Sequence, residues 1–317
     1  MGKPALLKKS QPDMKLPKGA LIKHVKKEWM IYSFLLIPIL YFVIFKYIPM
    51  FGNIIAFRKY TGGSNIFGEK WVGLRYFRQF FSDASFWRAF KNTLTLSVSY
   101  LAIRFPTTLI FALLLNEIMN TRAKKFVQTV SYLPHFISMV IIAGMIKEVV
   151  SLSGPINNLI AALGLDRISF IQEANWFPTI YITSGIWQGL GWGTILYLAA
   201  MTNINTELYE AAKIDGANHF KQVLHVTIPG ILPTIVTLLI LDIGGIMGSN
   251  FEKIILLYLP ATYEKADVIS TYVYRMGITG GNFSYATAVG LFEGIIGLIL
   301  VMSANLISKK LTETSLW

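Results

Sequence analysis

The chain has 317 residues, 54% of them hydrophobic, with a mean hydropathy of +0.52, only 15% charged residues and no cysteine. Soluble domains carry about a quarter charged residues, so the composition excludes an ordinary soluble globule, while the lack of cysteine excludes disulfides, Cys-ligated metals and a thiol nucleophile. The net charge of +12 would suggest nucleic acid in a soluble protein, but in a membrane protein such an excess sets topology, and the four scattered histidines offer no metal site.

In chain order, a basic tail (1–27) precedes six apolar windows of the length a bilayer requires. They fall at about 31–51, 90–115, 127–149, 177–201, 228–249 and 286–307, and residues 28–317 are read as one all-α transmembrane domain. The first window follows basic residues, as a secretory signal would, but it is too long and no small-residue cleavage site follows, so it is read as a retained helix. Basic residues in 1–30 and in the loop 116–126 place both segments, and hence both termini, on the cytoplasmic side.

The outer stretch 52–89 departs from this pattern. It carries Arg58, Lys59, Lys70, Arg75, Arg78 and Arg88 against Glu69 and Asp83. One reading is a folded outer loop too long to count in the topology rule; the other is an electropositive surface for an anionic solute or an acidic partner.

Between the fourth and fifth windows, Thr206 is the expected N-cap of a short helix with Glu207 and Glu210 in its first turn. Gly216 is placed to end that helix in the left-handed conformation. Asn218 then caps a second short helix through Val226, and Pro229 sits in the first turn of the fifth span. The small pair Ala211 and Ala212, flanked by Glu210 and Asp215, makes a docking knob or simply a connecting loop.

Glu210-Ala211-Ala212, Gly216 and Val226-x-Ile228-Pro229 resemble the EAA loop of the permease subunits of type I ABC importers. Asp215 before Gly216 and Ala217 after it match the extended motif, whereas Val226 and Ile228 depart conservatively from its Ile and Leu. Leu36-Ile-Pro38, Ser131-Tyr-Leu-Pro134, Asn282 to Phe292 and Leu306 to Trp317 resemble the maltose-type branch that handles oligosaccharides and polysaccharides. The resemblance implies a six-helix permease of a bacterial cytoplasmic membrane and a second permease subunit, expected to be a different chain. It also implies two ATPase subunits and an extracytoplasmic solute-binding protein. Glu210, Ala211, Ala212, Asp215, Gly216, Ala217 and Pro229 would then couple the spans to the ATPases. No Walker loop occurs: the nearest approach, Gly63 to Gly68 followed by Glu69-Lys70, has Glu where Lys is required. ATP and magnesium are accordingly expected on partner chains, with no cofactor, metal or catalytic residue in this one.

Residues expected along the pathway come from the spans. Tyr181, Trp187 and Trp192 offer rings for sugar faces, with Gln188 and Asn250 as polar neighbours; packing is the alternative role for the rings. Arg104, Asp242 and Glu293 lie inside spans, where charge costs at least about 2.5 kcal/mol each, so Arg104 either pairs with an acid or meets solute. His135 is read as a packed or interfacial histidine. Gly185, Gly189 and Gly193, Gly244 and Gly248, and Gly290 and Gly294 have the spacing of close helix packing. An ion-driven secondary transporter and a membrane enzyme acting on lipid-linked sugar are the alternatives. The basic outer loop admits an acidic oligosaccharide such as an alginate fragment.

Overall fold

Prolines and polar caps set most of the helix ends in the computed structural model, which describes residues 27–312 except 64 and 66. The basic tail expected over 1–27 lies outside the described residues apart from Lys27. The chain divides into two units, up to Ile54 and from Ile55 onward. The first contains α1 (Trp29–Phe42), which passes through a π turn (Val43–Tyr47) into Ile48–Met50. In that turn the Ile48 N–H reaches back to the Val43 carbonyl, one residue beyond α-helical spacing, immediately before Pro49.

The second unit opens with the outer stretch. Here β1 (Arg58–Lys59) pairs antiparallel with β2 (Lys70–Trp71), followed by α2 (Arg75–Phe81). Lys59, Lys70, Arg75, Arg78 and Arg88 are exposed and Arg58 is half-buried. α3 (Ala84–Glu117) begins six residues before the expected span, because the Asp83 carboxylate caps it by accepting the Ser85 N–H at 2.8 Å. At 1.5 Å per residue α3 is about 50 Å long, enough to extend well past a bilayer core.

The expected third span is not one helix. α4 (Thr121–Tyr132) and α5 (Met139–Val149) meet at 101°, joined by the 3-10 turn Leu133–Phe136. Pro134 cannot continue the α-helical bonding, and Ile137 and Ser138 are extended before α5 starts. Then come α6 (Pro155–Ala162) and α7 (Phe177–Met201), the latter with the expected ends.

The fifth span is shifted toward the chain's start. α8 (Thr206–Ile214) precedes α9 (His219–Gln222), which runs through the π turn Val223–Thr227 into α10 (Ile228–Gly244). α10 stops five residues short of the expected end because Gly244 and Gly245 close it and residues 246–248 are bends. Short helices α11 (Phe251–Leu257), α12 (Tyr263–Ala266) and α13 (Ile269–Val273) lead to α14 (Phe283–Thr312).

Among the described residues four helices are long and apolar enough to cross a membrane, or five if the bent α4–α5 pair is one span. The expected count of six is therefore not reached on length and composition. α7 is long enough, but its Gly, Ser, Thr and Gln residues dilute its apolar character.

Packing depends on small residues. A Cβ on Gly185 would lie 2.8 Å from the Tyr100 ring, and one on Gly193 2.7 Å from the Thr108 methyl, so α3 and α7 approach closely through these positions. Gly191 lets α7 touch the Ser131 backbone of α4, and Gly244 meets Val301 of α14. Gly290 and Gly294 have open space instead, so within this chain they do not serve the expected packing role.

The N-terminal ends of α3 and α14 are stitched to their neighbours by polar side chains. Asn92 donates to the carbonyls of Glu264 (2.9 Å) and Asp267 (3.0 Å), and the Thr93 hydroxyl accepts the Ile269 N–H. Ser284 donates to the Arg58 carbonyl and accepts the Tyr60 N–H. The fully buried Asp267 carboxylate takes a two-pronged pair from Arg275 at 3.0 and 2.6 Å.

Candidate functional site

Three adjoining cavities share Arg104, with volumes of about 350, 290 and 380 Å³. They lie among α3, α7, the 3-10 turn after α4, and the α10–α11 bend. On α7, Tyr181, Gly185, Gln188, Gly189 and Trp192 fall on one helical face and line the 290 Å³ cavity with Arg104, His135 and Asn250. Asp242 lines the other two. Six of the eight expected pathway residues are thus brought together: Arg104, Tyr181, Gln188, Trp192, Asp242 and Asn250.

Arg104 and Asp242 are ion-paired at 3.1 Å, each side chain 28% exposed, which resolves the charge of both within the spans. The Arg104 guanidinium also lies 5.8 Å from the centre of the Tyr100 ring. His135 stacks on Trp192 with ring centres 4.4 Å apart and planes 5° from parallel, so it is a packed histidine that also lines the cavity.

Two expected residues are elsewhere. Trp187 is one position off the cavity face of α7 and lines two apolar grooves, one with Met145 and Phe170, the other with Phe126 and Val130. Glu293 is on α14 and lines none of the cavities that Arg104 shares.

Lys253 was not anticipated from the sequence. It is 2% exposed, and its Nζ donates to the Tyr181 carbonyl at 3.0 Å and lies 5.2 Å from that ring's centre. Asn250, expected as a solute contact, caps α11 by accepting the Lys253 N–H at 3.1 Å. A signal was present in Asn250-Phe-Glu-Lys-Ile-Ile-Leu-Leu257: a cap three residues before a lysine that shares a helical face with Ile254 and Leu257, both buried.

The loop 202–227 holds a second cluster. The N-cap of α8 is Asn205, not Thr206: its Oδ1 accepts the Glu207 N–H at 3.0 Å, and Thr206 is the first helical residue. Gly216 has φ +74°, with Gly216 N–H to the Lys213 carbonyl and Ala217 N–H to the Ala212 carbonyl, a two-bond helix stop. Asn218 caps α9 through the Lys221 N–H, as expected. The second helix, however, is not separate: it continues into the fifth span through the π turn, in which the Ile228 N–H bonds the Val223 carbonyl just before Pro229. Proline has no N–H for the carbonyl four residues back, and the wider turn fits that gap.

Glu210, Ala211, Asp215 and Gly216 are exposed, and Ala212 and Ala217 half-buried. Leu208, Ile214 and Phe220 add exposed apolar surface, Ile214 at 87%. Two contacts tie this knob to the spans: the Tyr209 and Thr227 hydroxyls at 2.9 Å, and His219 to the Glu117 carboxylate at 3.4 Å.

Residues 104–313 match the model of a family described as binding-protein-dependent transport system inner membrane component. The chain is 44% identical over 301 residues to the polygalacturonan/rhamnogalacturonan transport system permease protein YteP of Bacillus subtilis (strain 168), covering 95% of this chain and 94% of that protein. Protein LplB of the same organism is 41% identical over 312 residues, 98% of each chain. A chain of a bacterial alginate ABC transporter, solved in complex with an alginate pentasaccharide-bound periplasmic protein, superposes with a TM-score of 0.86 at 43% identity, covering 93% of this chain and 99% of that one. These findings set aside the secondary-transporter and membrane-enzyme readings. The chain belongs to the family of inner-membrane permease components of binding-protein-dependent ABC transport systems.

Proposed function

We propose that this chain forms one half of an ATP-driven import pathway for acidic oligosaccharides, oligouronates in particular. The observation that carries the reading is the group of cavities around Arg104, where Tyr100, Tyr181 and Trp192 present ring faces, Gln188 and Asn250 amides, and Arg104 and Lys253 cations. Rings suit the apolar faces of sugars, amides their hydroxyls, and cations their carboxylates. The similarity to a polygalacturonan/rhamnogalacturonan permease and to an alginate transporter chain supports the acidic class.

In this reading α7 is a sixth crossing, less apolar because one face lines a wet cavity. The exposed knob of α8 and its Gly216 stop seats on an ATPase subunit, so the loops 116–126 and 202–227 and both termini face the cytoplasm. A second permease chain completes the pathway, and a solute-binding protein docks on the opposite face, where the five exposed basic residues of 52–89 lie. Co-expression with a second permease, ATPase subunits and a solute-binding protein, followed by uptake into proteoliposomes, tests the assignment. ATP-dependent uptake of tetragalacturonate or an alginate oligomer is expected; uptake that persists with an ATPase-dead partner refutes it.

A further inference from the structure

Arg104 is the obvious cation in the cavity, but Asp242 already neutralises it at 3.1 Å. Lys253 differs. Its side chain is almost wholly buried, and among the described residues no carboxylate lies within ion-pair distance of its Nζ. An ammonium has three N–H donors, and among the described residues the partners at this one are the Tyr181 carbonyl and ring. A buried charge held by a single hydrogen bond is costly unless something pairs with it.

The surroundings are arranged for such a partner. Asn250 fixes the first turn of α11, and so the root of Lys253. Gly185 leaves room for the amine, since a Cβ there would lie 3.2 Å from Nζ. Tyr100 and Tyr181, with ring centres 6.0 Å apart, stand between the two cations, each ring under one of them. Gln188 lines the same 290 Å³ cavity.

We propose that Lys253 is the carboxylate-binding residue of the pathway, taking a uronate carboxylate on its two remaining N–H donors while the tyrosine rings receive the sugar. The proposal rests on the oligouronate reading above and goes beyond it by assigning recognition of the acid to one residue. Arg104 is left as a paired, positioning group for Tyr100.

The test uses the assembled transporter in proteoliposomes with its binding protein, supplied in competition with tetragalacturonate and its carboxyl-reduced neutral counterpart. K253M should lower the acidic-to-neutral uptake ratio by about tenfold, the size of one lost charge-assisted bond, and K253R should retain most of it. Equal loss of both substrates, or an unchanged ratio, overturns the assignment. If K253M does not assemble, K253Q, which keeps an N–H donor for the Tyr181 carbonyl but no charge, should lower the same ratio; no change in ratio overturns the proposal. Uptake of neither glycan by the wild type refutes the functional reading itself, and the lysine assignment falls with it.

Discussion

The Tyr209 hydroxyl on the exposed α8 and the Thr227 hydroxyl in the π turn below α10 lie 2.9 Å apart, the one side-chain bond between these two elements among the described residues. It spans the join between α8 and the helix that carries Asp242. Tyr209→Phe should leave ATPase subunits bound but lower solute moved per ATP hydrolysed by several-fold. Co-purification together with paired uptake and phosphate-release measurements distinguishes this from loss of docking.

At Gly216 the space where a Cβ would point is open, so substitution meets no clash; the cost is the positive φ alone. That amounts to about 1–2 kcal/mol for an L-residue. Gly216→Asp should therefore fold while disturbing the helix stop, and Glu210→Lys should invert charge on the knob. Both should uncouple hydrolysis from uptake or release the ATPase. Normal transport in both variants would contradict the coupling role.

Arg104 and Asp242 should show a favourable coupling of about 1 kcal/mol in a double-mutant cycle of R104Q and D242N, read as thermal stability in detergent. Either single change leaves a charge in the spans without its partner, so each alone should destabilise more than the two together. Additive effects would mean the pair does not form.

Trp187 and Trp192 should behave differently although they sit on one helix. Trp192 lines the cavity beneath His135, whereas Trp187 lines apolar grooves away from it. Trp192→Leu should alter the concentration dependence of uptake several-fold. Trp187→Leu should leave it within about twofold and reduce stability instead, as lost apolar packing does.

Burial raises the Asp83 carboxyl, but hydrogen bonds from Tyr272 (2.5 Å), from the Ser85 N–H and hydroxyl, and from Tyr285 outweigh it, leaving the group below its ordinary value. A carboxyl lowered by folding adds stability at neutral pH that disappears as pH falls through and below the ordinary carboxylate range. Tyr272→Phe should flatten that acid loss, measured as melting temperature between about pH 3 and 6.

Much of this was legible in the sequence. Apolar windows located the helices, and Gly216 and Asn218 announced a helix stop and a cap that the fold contains. Tyr181, Gln188 and Trp192, singled out by residue type alone, share one face of α7 in the fold. Hydropathy misreads the bend at Pro134 because a window over 127–149 averages the amphipathic end of α4 with the apolar α5; the break lies in backbone bonding, not composition. It likewise carries α10 past Gly244 and Gly245, where the apolar run continues but the helix does not. Lys253 was missed because a lysine outside a span looks solvated until Tyr181 and Gly185, some seventy residues earlier, fold over it. Trp187 fails for a smaller reason: one residue along a helix is about 100° around it.

The π turn Val223–Thr227 adds one residue to the helix between the docking knob and the cavity. Its effect is a fixed phase offset. Deleting a single residue there would restore α-helical spacing and rotate everything before it by about 100° relative to Asp242. The direction in which the exposed face of α8 points is thus set by one extra peptide unit beside Pro229, and a chain shortened there would keep Glu210 to Gly216 intact yet turn them to another side.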